Sequence, residues 1–217
     1  MITAAACGAA SAPRGTPATN AAPPVTCVAD DLAPLRIDGH RLTCEPTACE
    51  AECAAGEADA CAERGYQVQG SGAADASAAS DAWFRRACQL GHATACTNFG
   101  AQLWLADAAP ATDVVCAGRL FDAACAAGEH FGCGMAGRLL VEGSDDAGDQ
   151  ARGRALLATS CASVGGFACR VLAIMPGVAA TPPTPTMQLE LLERACDGGD
   201  GEACDLLPAD NADDAPP

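Results

Sequence analysis

Lysine is absent from this 217-residue chain; all 12 of its basic residues are arginine. That absence excludes a P-loop, a Schiff-base lysine, a pyridoxal-phosphate anchor and the Ser-x-x-Lys nucleophile pair. Basic charge is scarce altogether. Twenty-eight acids give a formal net charge of −16 and a pI near 4.3, which argues against a phosphate-backbone partner such as nucleic acid. Aromatic residues make up 4% of the chain, so a core has to be built from alanine, leucine and something else. No apolar run reaches the roughly 18 residues of a membrane helix. No C-x-x-C zinc spacing occurs either, although the chain holds 15 cysteines. So many cysteines without metal spacing indicate disulfides, and hence an oxidising, extracytoplasmic location: periplasmic, outer-membrane-anchored or secreted.

The N-terminus carries its own signal. Ala4-Ala5-Ala6-Cys7-Gly8 resembles the end of a bacterial lipobox, and residues 11–26 form a Pro/Thr/Ala-rich tether with one charge. The chain lacks the basic and apolar parts of a full signal peptide before Cys7. The expectation is either a lipid-modified Cys7 whose signal lies upstream, or an ordinary cysteine in a disordered leader.

The cysteines reveal a repeat. Five pairs share the spacing C-x7-C: Cys53/Cys61, Cys88/Cys96, Cys125/Cys133, Cys161/Cys169 and Cys196/Cys204, with first members 35, 37, 36 and 35 residues apart. Four residues before each first cysteine stand Cys49, Phe84, Phe121, Leu157 and Leu192. Three after stand Gly56, Gly91, Gly128, Val164 and Gly199. Twelve after stand Gly65, Gly100, Gly137, Ala173 and Pro208. Apolar residues at −5 and −4, with the cysteine, make one helical face. The glycine at +3 suits the left-handed residue that ends that helix. The second cysteine then falls near the start of a second helix. The glycine at +12 lies inside that helix at a cost of up to about 1 kcal/mol against alanine, so close helix contact is its expected reason. Breakers are predicted at 70–80, 106–113, 142–149 and 176–186.

The resulting expectation is an all-α, right-handed α-solenoid of about five αα-hairpins, each clipped near its turn by a disulfide. Residues 1–26 would be leader or tether, 27–43 an N-terminal cap segment, 44–209 the repeat domain and 210–217 an acidic disordered tail. Each nine-residue disulfide loop stabilises by roughly 2.5 kcal/mol through loop-closure entropy, and five give at most about 12 kcal/mol. That equals the whole stability of an ordinary domain.

The segments WFRRACQLGHATACTNFGAQL, LFDAACAAGEHFGCGMAGRLL and LLERACDGGDGEACDLL carry an A-C-x2-G-x4-C-x3-G core. This core resembles the Sel-one-like repeats of the cysteine-rich Hcp proteins, a branch of the TPR-like solenoids, over residues 44–209. The resemblance implies a scaffold that presents its concave face to a protein or peptide. It also implies an alternative, since some Hcp relatives are described as weak penicillin-binding proteins or β-lactamases. The lysine-dependent motifs of the serine enzymes cannot exist here, and three histidines, His40, His92 and His130, are too scattered for the zinc enzymes. A structural envelope protein that binds nothing small is a third reading.

The remaining patterns carry no chemistry. Residues 132–137, GCGMAG, match G-x-G-x-x-G but follow helix-type sequence and fall on repeat positions. The acids Glu142, Asp145, Asp146 and Asp149 lack EF-hand spacing and read as a solvated loop. His92 and His130 read as solvated turn residues. No catalytic residue, cofactor or metal is expected, and the chain is expected to be a monomer.

Five cysteines lie outside the pattern: Cys7, Cys27, Cys44, Cys49 and Cys116. Cys44 and Cys116 sit in first helices several packing steps of about 8–10 Å apart, too far to bridge. Cys27 is therefore expected to pair with Cys44 or Cys49 and pin segment 27–43 onto unit one. The other of that pair would be buried. Cys116 would remain a free thiol or bridge between molecules.

Overall fold

The structure, a computed structural model, describes residues 27–37, 43–73, 75–164, 166–175, 178 and 182–208. Cys7, His40, the leader 1–26 and the tail 210–217 lie outside these residues. Ten helices follow a short 3-10 turn at Val28–Asp30: α1 Pro46–Ala55, α2 Ala58–Gln69, α3 Ala76–Gln89, α4 Ala93–Leu105, α5 Ala111–Ala126, α6 His130–Gly143, α7 Ala147–Val164, α8 Gly166–Ile174, α9 Pro185–Asp197 and α10 Gly201–Leu206. They form five hairpins, α1/α2 to α9/α10, each helix packed on the next in the chain. Second helices of neighbouring units also touch, α4 on α6, α6 on α8 and α8 on α10. This is the all-α solenoid expected from the period.

Three of the expected breakers extend too far. Helices α3, α5 and α7 begin at Ala76, Ala111 and Ala147, inside the stretches 70–80, 106–113 and 142–149. Alanine-rich sequence is good helix material, and Ala76 and Ser80 are buried in the first turns of α3. The fourth, at 176–186, is likewise entered by α9 at Pro185, where proline suits the first helical position.

The repeat positions explain the packing. Cys49, Phe84, Phe121 and Leu157, four before each first cysteine, are fully buried. The glycines at +12 face these residues of the following unit. A Cβ on Gly65 would lie 2.7 Å from Phe84, one on Gly100 2.7 Å from Phe121, and one on Gly137 2.9 Å from Leu157. Close contact is thus the reason for the repeated glycine, and it joins units together. Tyr66 and Trp104 complete the seams, edge-on to Phe84 at 5.1 Å and to Phe121 at 6.1 Å between ring centroids.

The +3 glycines take positive φ: 103° at Gly56, 98° at Gly91, 92° at Gly128 and 86° at Gly199. Unit four, with Val164 at that position, solves the turn differently. Helix α7 continues through Val164, and the positive φ, 55°, moves to Gly166.

Seven disulfides are present among the described residues. Five are the C-x7-C pairs, each bridging within its own hairpin. Cys53–Cys61, Cys161–Cys169 and Cys196–Cys204 have Cα–Cα distances of 4.7 Å. Cys88–Cys96 and Cys125–Cys133 have distances of 4.5 Å. The second cysteine of each pair, Cys61, Cys96, Cys133, Cys169 or Cys204, is the fourth residue of its helix, one turn in from the hairpin bend. Their burial is not uniform. Cys133 and Cys169 are buried, whereas Cys204 is exposed, because among the described residues no further unit packs over it.

The other two bridges depart from expectation. Cys44 bonds Cys49, and Cys27 bonds Cys116. The expectation that Cys27 joins Cys44 or Cys49 and leaves Cys116 free is therefore corrected. Segment 27–37 is fastened to α5 of unit three, and it runs across units two and three instead of covering unit one. The physical reason is reach and burial. An extended chain covers about 3.3–3.6 Å per residue, so sequence proximity did not confine Cys27 to unit one. Val28, Ala29, Leu32 and Leu35 find apolar partners in the cluster that includes Phe99 and Leu120. Seven disulfides imply an oxidising, extracytoplasmic environment. No helix among the described residues is long and apolar enough to cross a membrane.

Candidate functional site

Residues immediately after each turn decide what the hairpin edge presents. The N-cap of the second helix lies four residues after the first cysteine. His92 Nδ1 accepts from Ala95 N at 3.1 Å, and Asp200 accepts from Ala203 N at 3.1 Å. Glu129 accepts from Phe131 N at 3.0 Å and Gly132 N at 2.6 Å. The last case is the most developed. Glu129 is buried, and Thr97 Oγ1 of unit two donates to it at 2.6 Å. The carboxylate therefore ties two units together while satisfying helix N–H groups that would otherwise lack partners.

Beside these caps, a hollow of about 700 Å³ opens along the turns of units three to five. Phe131 and Val164 line it, 36% and 50% exposed, and Ile37 forms its border with the N-terminal segment. Phe131 meets Phe167 edge-on at 5.6 Å. The guanidinium of Arg170 lies 5.7 Å from the Phe167 ring. It also pairs with Asp200 and Glu202, each at 2.9 Å, with the Asp200 side chain 7% exposed. The cation in the hollow is thus neutralised within the protein, and its accessible floor is apolar.

The polar groups here are engaged in holding the backbone. Ser160 Oγ donates to the main-chain carbonyl of His130 at 2.7 Å, so the hydroxyl is not aligned with the imidazole. His130 Nδ1 is buried and has no hydrogen-bond partner among the described residues. Among the described residues no group of three or more metal-ligating side chains converges. The arrangement can hold an apolar or backbone-rich ligand. Among the described residues lining it, the hydroxyl of Ser160 is engaged by the main chain.

The sequence-derived candidates fall into structural roles. The bridged cysteines of units three to five, Cys125–Cys133, Cys161–Cys169 and Cys196–Cys204, clip the hairpins whose turns bound the hollow, yet none of the six lines it. They hold the site's walls and take no place in it. His92 is a helix cap, and His130 borders the hollow. Gly132, Gly134 and Gly137 of the GCGMAG stretch lie within α6. A Cβ there would meet Thr97 Oγ1 at 2.8 Å, Ser160 Oγ at 2.9 Å and the Gly153 carbonyl at 2.7 Å. Asp146 accepts from Gly148 N and Asp149 N at 2.8 and 3.0 Å, capping α7. Sequence reasoning missed the hollow itself. Its floor combines residues of three units, and the only local signal was the pair of phenylalanines, Phe131 and Phe167, at equivalent positions of units three and four.

The adjoining turn of unit two is already covered. Residues Leu32–Ile37 lie extended there, with Arg36 N donating to Gly91 O at 2.9 Å and Ala93 N donating to Arg36 O at 3.1 Å. No protein-family model matches the chain, and no curated protein matches it.

Proposed function

We propose that the chain is an extracytoplasmic interaction scaffold of the Sel-one-like kind, and that the hollow of units three to five receives an extended peptide of a partner protein. One observation carries this reading: the same row of turns already holds an extended peptide, the chain's own residues 32–37, through main-chain hydrogen bonds. The apolar floor around Phe131 and Val164 and the internally neutralised Arg170 favour apolar side chains. The net charge of −16 favours a neutral or basic partner. Delivery would be to the periplasm, to the outer membrane through a lipidated Cys7, or to the medium.

Panning a random peptide library against the oxidised protein tests this. The expected outcome is enrichment of acid-poor peptides with apolar residues, whose binding is lost in Phe131→Asp. That substitution acts on a partly exposed ring and should leave the helices intact. No enrichment, or enriched peptides indifferent to Phe131→Asp, would refute the reading.

A further inference from the structure

Six of the seven disulfides are local, joining residues 5 or 8 apart; Cys27–Cys116 joins residues 89 apart. What it fastens is a peptide in a shaped bed. Val28, Ala29, Leu32 and Leu35 pack on the cluster that contains Phe99 and Leu120. Ala33 N donates to Gln89 O at 3.2 Å, and Arg36 exchanges two main-chain hydrogen bonds with Gly91 and Ala93. Gly91 makes room for the segment, since a Cβ there would lie 2.7 Å from the Pro34 carbonyl oxygen. Asp30 pairs with Arg119, both about half exposed, a contact of modest strength. An apolar bed, an aligned donor and acceptor, and a gap for backbone are the features by which a surface recognises an extended peptide.

We propose that the surface of units two and three beneath residues 27–37 is a binding site for extended peptides of the pattern Leu-x-Pro-Leu-Arg, that the chain's own Leu32–Arg36 fills it in cis, and that a dithiol reductant releases this occupant by cleaving Cys27–Cys116. The inference rests on the reading of the repeat surface as a peptide-binding one, but concerns a different stretch of it. In the exchange, a thiolate of the dithiol attacks one sulfur of the bridge. The S–S bond breaks, a mixed disulfide forms, and the other cysteine leaves as a thiolate that takes up a proton. The second thiolate of the reductant then attacks the mixed disulfide. Cys27 and Cys116 end as thiols and the reductant as an internal disulfide, with two electrons transferred. A cleft of about 340 Å³ between Ala111, Thr112, Val115 and Arg119 reaches the bridge and gives the reductant its approach. Reducing a clip within a hairpin frees no segment, because both partners belong to packed helices. Reducing this bridge leaves residues 27–37 held by their non-covalent contacts alone.

The test uses the full chain carrying Cys27→Ser, Cys116→Ser, Leu32→Asp and Leu35→Asp, which disables the segment and alters the surface under it by one sulfur-to-oxygen exchange at Cys116. The probe is a fluorescein-labelled peptide of residues 28–37. Saturable binding is expected. It should be at least tenfold weaker for a peptide with both leucines replaced by aspartate, and at least tenfold weaker for the unaltered oxidised chain, whose site is filled. A folded variant that does not distinguish the two peptides overturns the proposal. Amide exchange in a chain carrying only Cys27→Ser and Cys116→Ser gives a second readout. The amides of Ala33 and Arg36 should exchange at least tenfold faster than in the parent, and unchanged rates overturn the release. In a dithiol titration of the parent, Cys27 and Cys116 should become alkylatable while helical circular dichroism is retained. Loss of helix before that point overturns the mechanism.

Discussion

Replacing Gly100 by alanine tests the account of the repeated glycine, because two effects of opposite sign meet there. Gly100 lies inside α4, where alanine is intrinsically better by about 1 kcal/mol. Its missing side chain faces Phe121 of the next unit, and a Cβ would come within 2.7 Å of Cε1, 3.2 Å of Cδ1 and 3.3 Å of Cζ. That ring is fully buried and stacked edge-on against Trp104, so it cannot swing away as a surface side chain would. Overpacking of this kind costs typically about 1–3 kcal/mol. The packing term wins, and Gly100→Ala should destabilise by up to about 2 kcal/mol. In a Phe121→Leu background the ring edge is gone. The same substitution should then become neutral or stabilising by up to about 1 kcal/mol. Gly143, at the end of α6 with its nearest neighbour 4.0 Å from an added Cβ, is the control and should gain slightly on replacement by alanine. Urea unfolding of the oxidised proteins, followed by circular dichroism, measures all four variants. Stabilisation by Gly100→Ala in the parent, or no change of sign with Phe121→Leu, would refute the packing argument.

Strong reductant should lower the melting temperature sharply, because each nine-residue clip contributes about 2.5 kcal/mol and the 90-residue loop about 4.6 kcal/mol on the chain-entropy model; an unchanged melt would show that the helices hold without the bridges. Glu129→Ala should destabilise by about 2–4 kcal/mol, since it strips the α6 cap and orphans the buried Thr97 hydroxyl. Adding Thr97→Val should recover part of that loss in the same denaturation assay. Burial raises the Asp81 carboxyl above its ordinary 3.8, and its Oδ1 finds no hydrogen-bond partner among the described residues. The folded state thus binds that proton more tightly than the unfolded one, so this group's contribution improves as pH falls through its raised value and is unfavourable at neutrality. Asp81→Asn should raise stability near neutral pH and flatten the pH dependence just above the ordinary carboxylate value. Asp30 behaves oppositely. Its hydrogen bond and charge pairing with Arg119 lower its pKa, so its contribution is present above 3.8 and lost as pH falls below it. Protection of the Ala33 and Arg36 amides, measured relative to the intrinsic exchange rate at each pH, should fall in acid accordingly.

The hairpins were legible because their determinants recur. A cysteine, a turn glycine and an apolar residue at −4 repeat at one period, and a repeated position reports a repeated environment. The +12 glycine was legible as a contact but not as to its partner, since Gly65 and Gly100 touch the next unit and the sequence of one unit does not name its neighbour's side. The capping residues were obscured by identity. His92 and Glu129 occupy the place where serine, threonine, aspartate or asparagine is the usual signal. The N-terminal segment was least legible. Its leucines could satisfy themselves on any exposed apolar seam, and nothing in the local pattern around Cys27 distinguishes Cys116 from a nearer thiol. The hollow, too, depends on how three units are placed side by side, which no spacing within one unit encodes.

The Cys27–Cys116 bond closes a ring that encloses three smaller ones, Cys44–Cys49, Cys53–Cys61 and Cys88–Cys96. Such nesting changes what a protease can do. A cut in the exposed 70–73 connection between α2 and α3 severs a peptide bond, yet both pieces stay attached through the outer ring. Units one and two, and the start of unit three, thereby survive a nick as one molecule. A cut at Ser144–Asp146, beyond the ring, would instead leave units four and five joined to the rest by packing alone. Resistance to fragmentation is therefore distributed unevenly along the chain, and it is greatest in the half that carries the tethered segment.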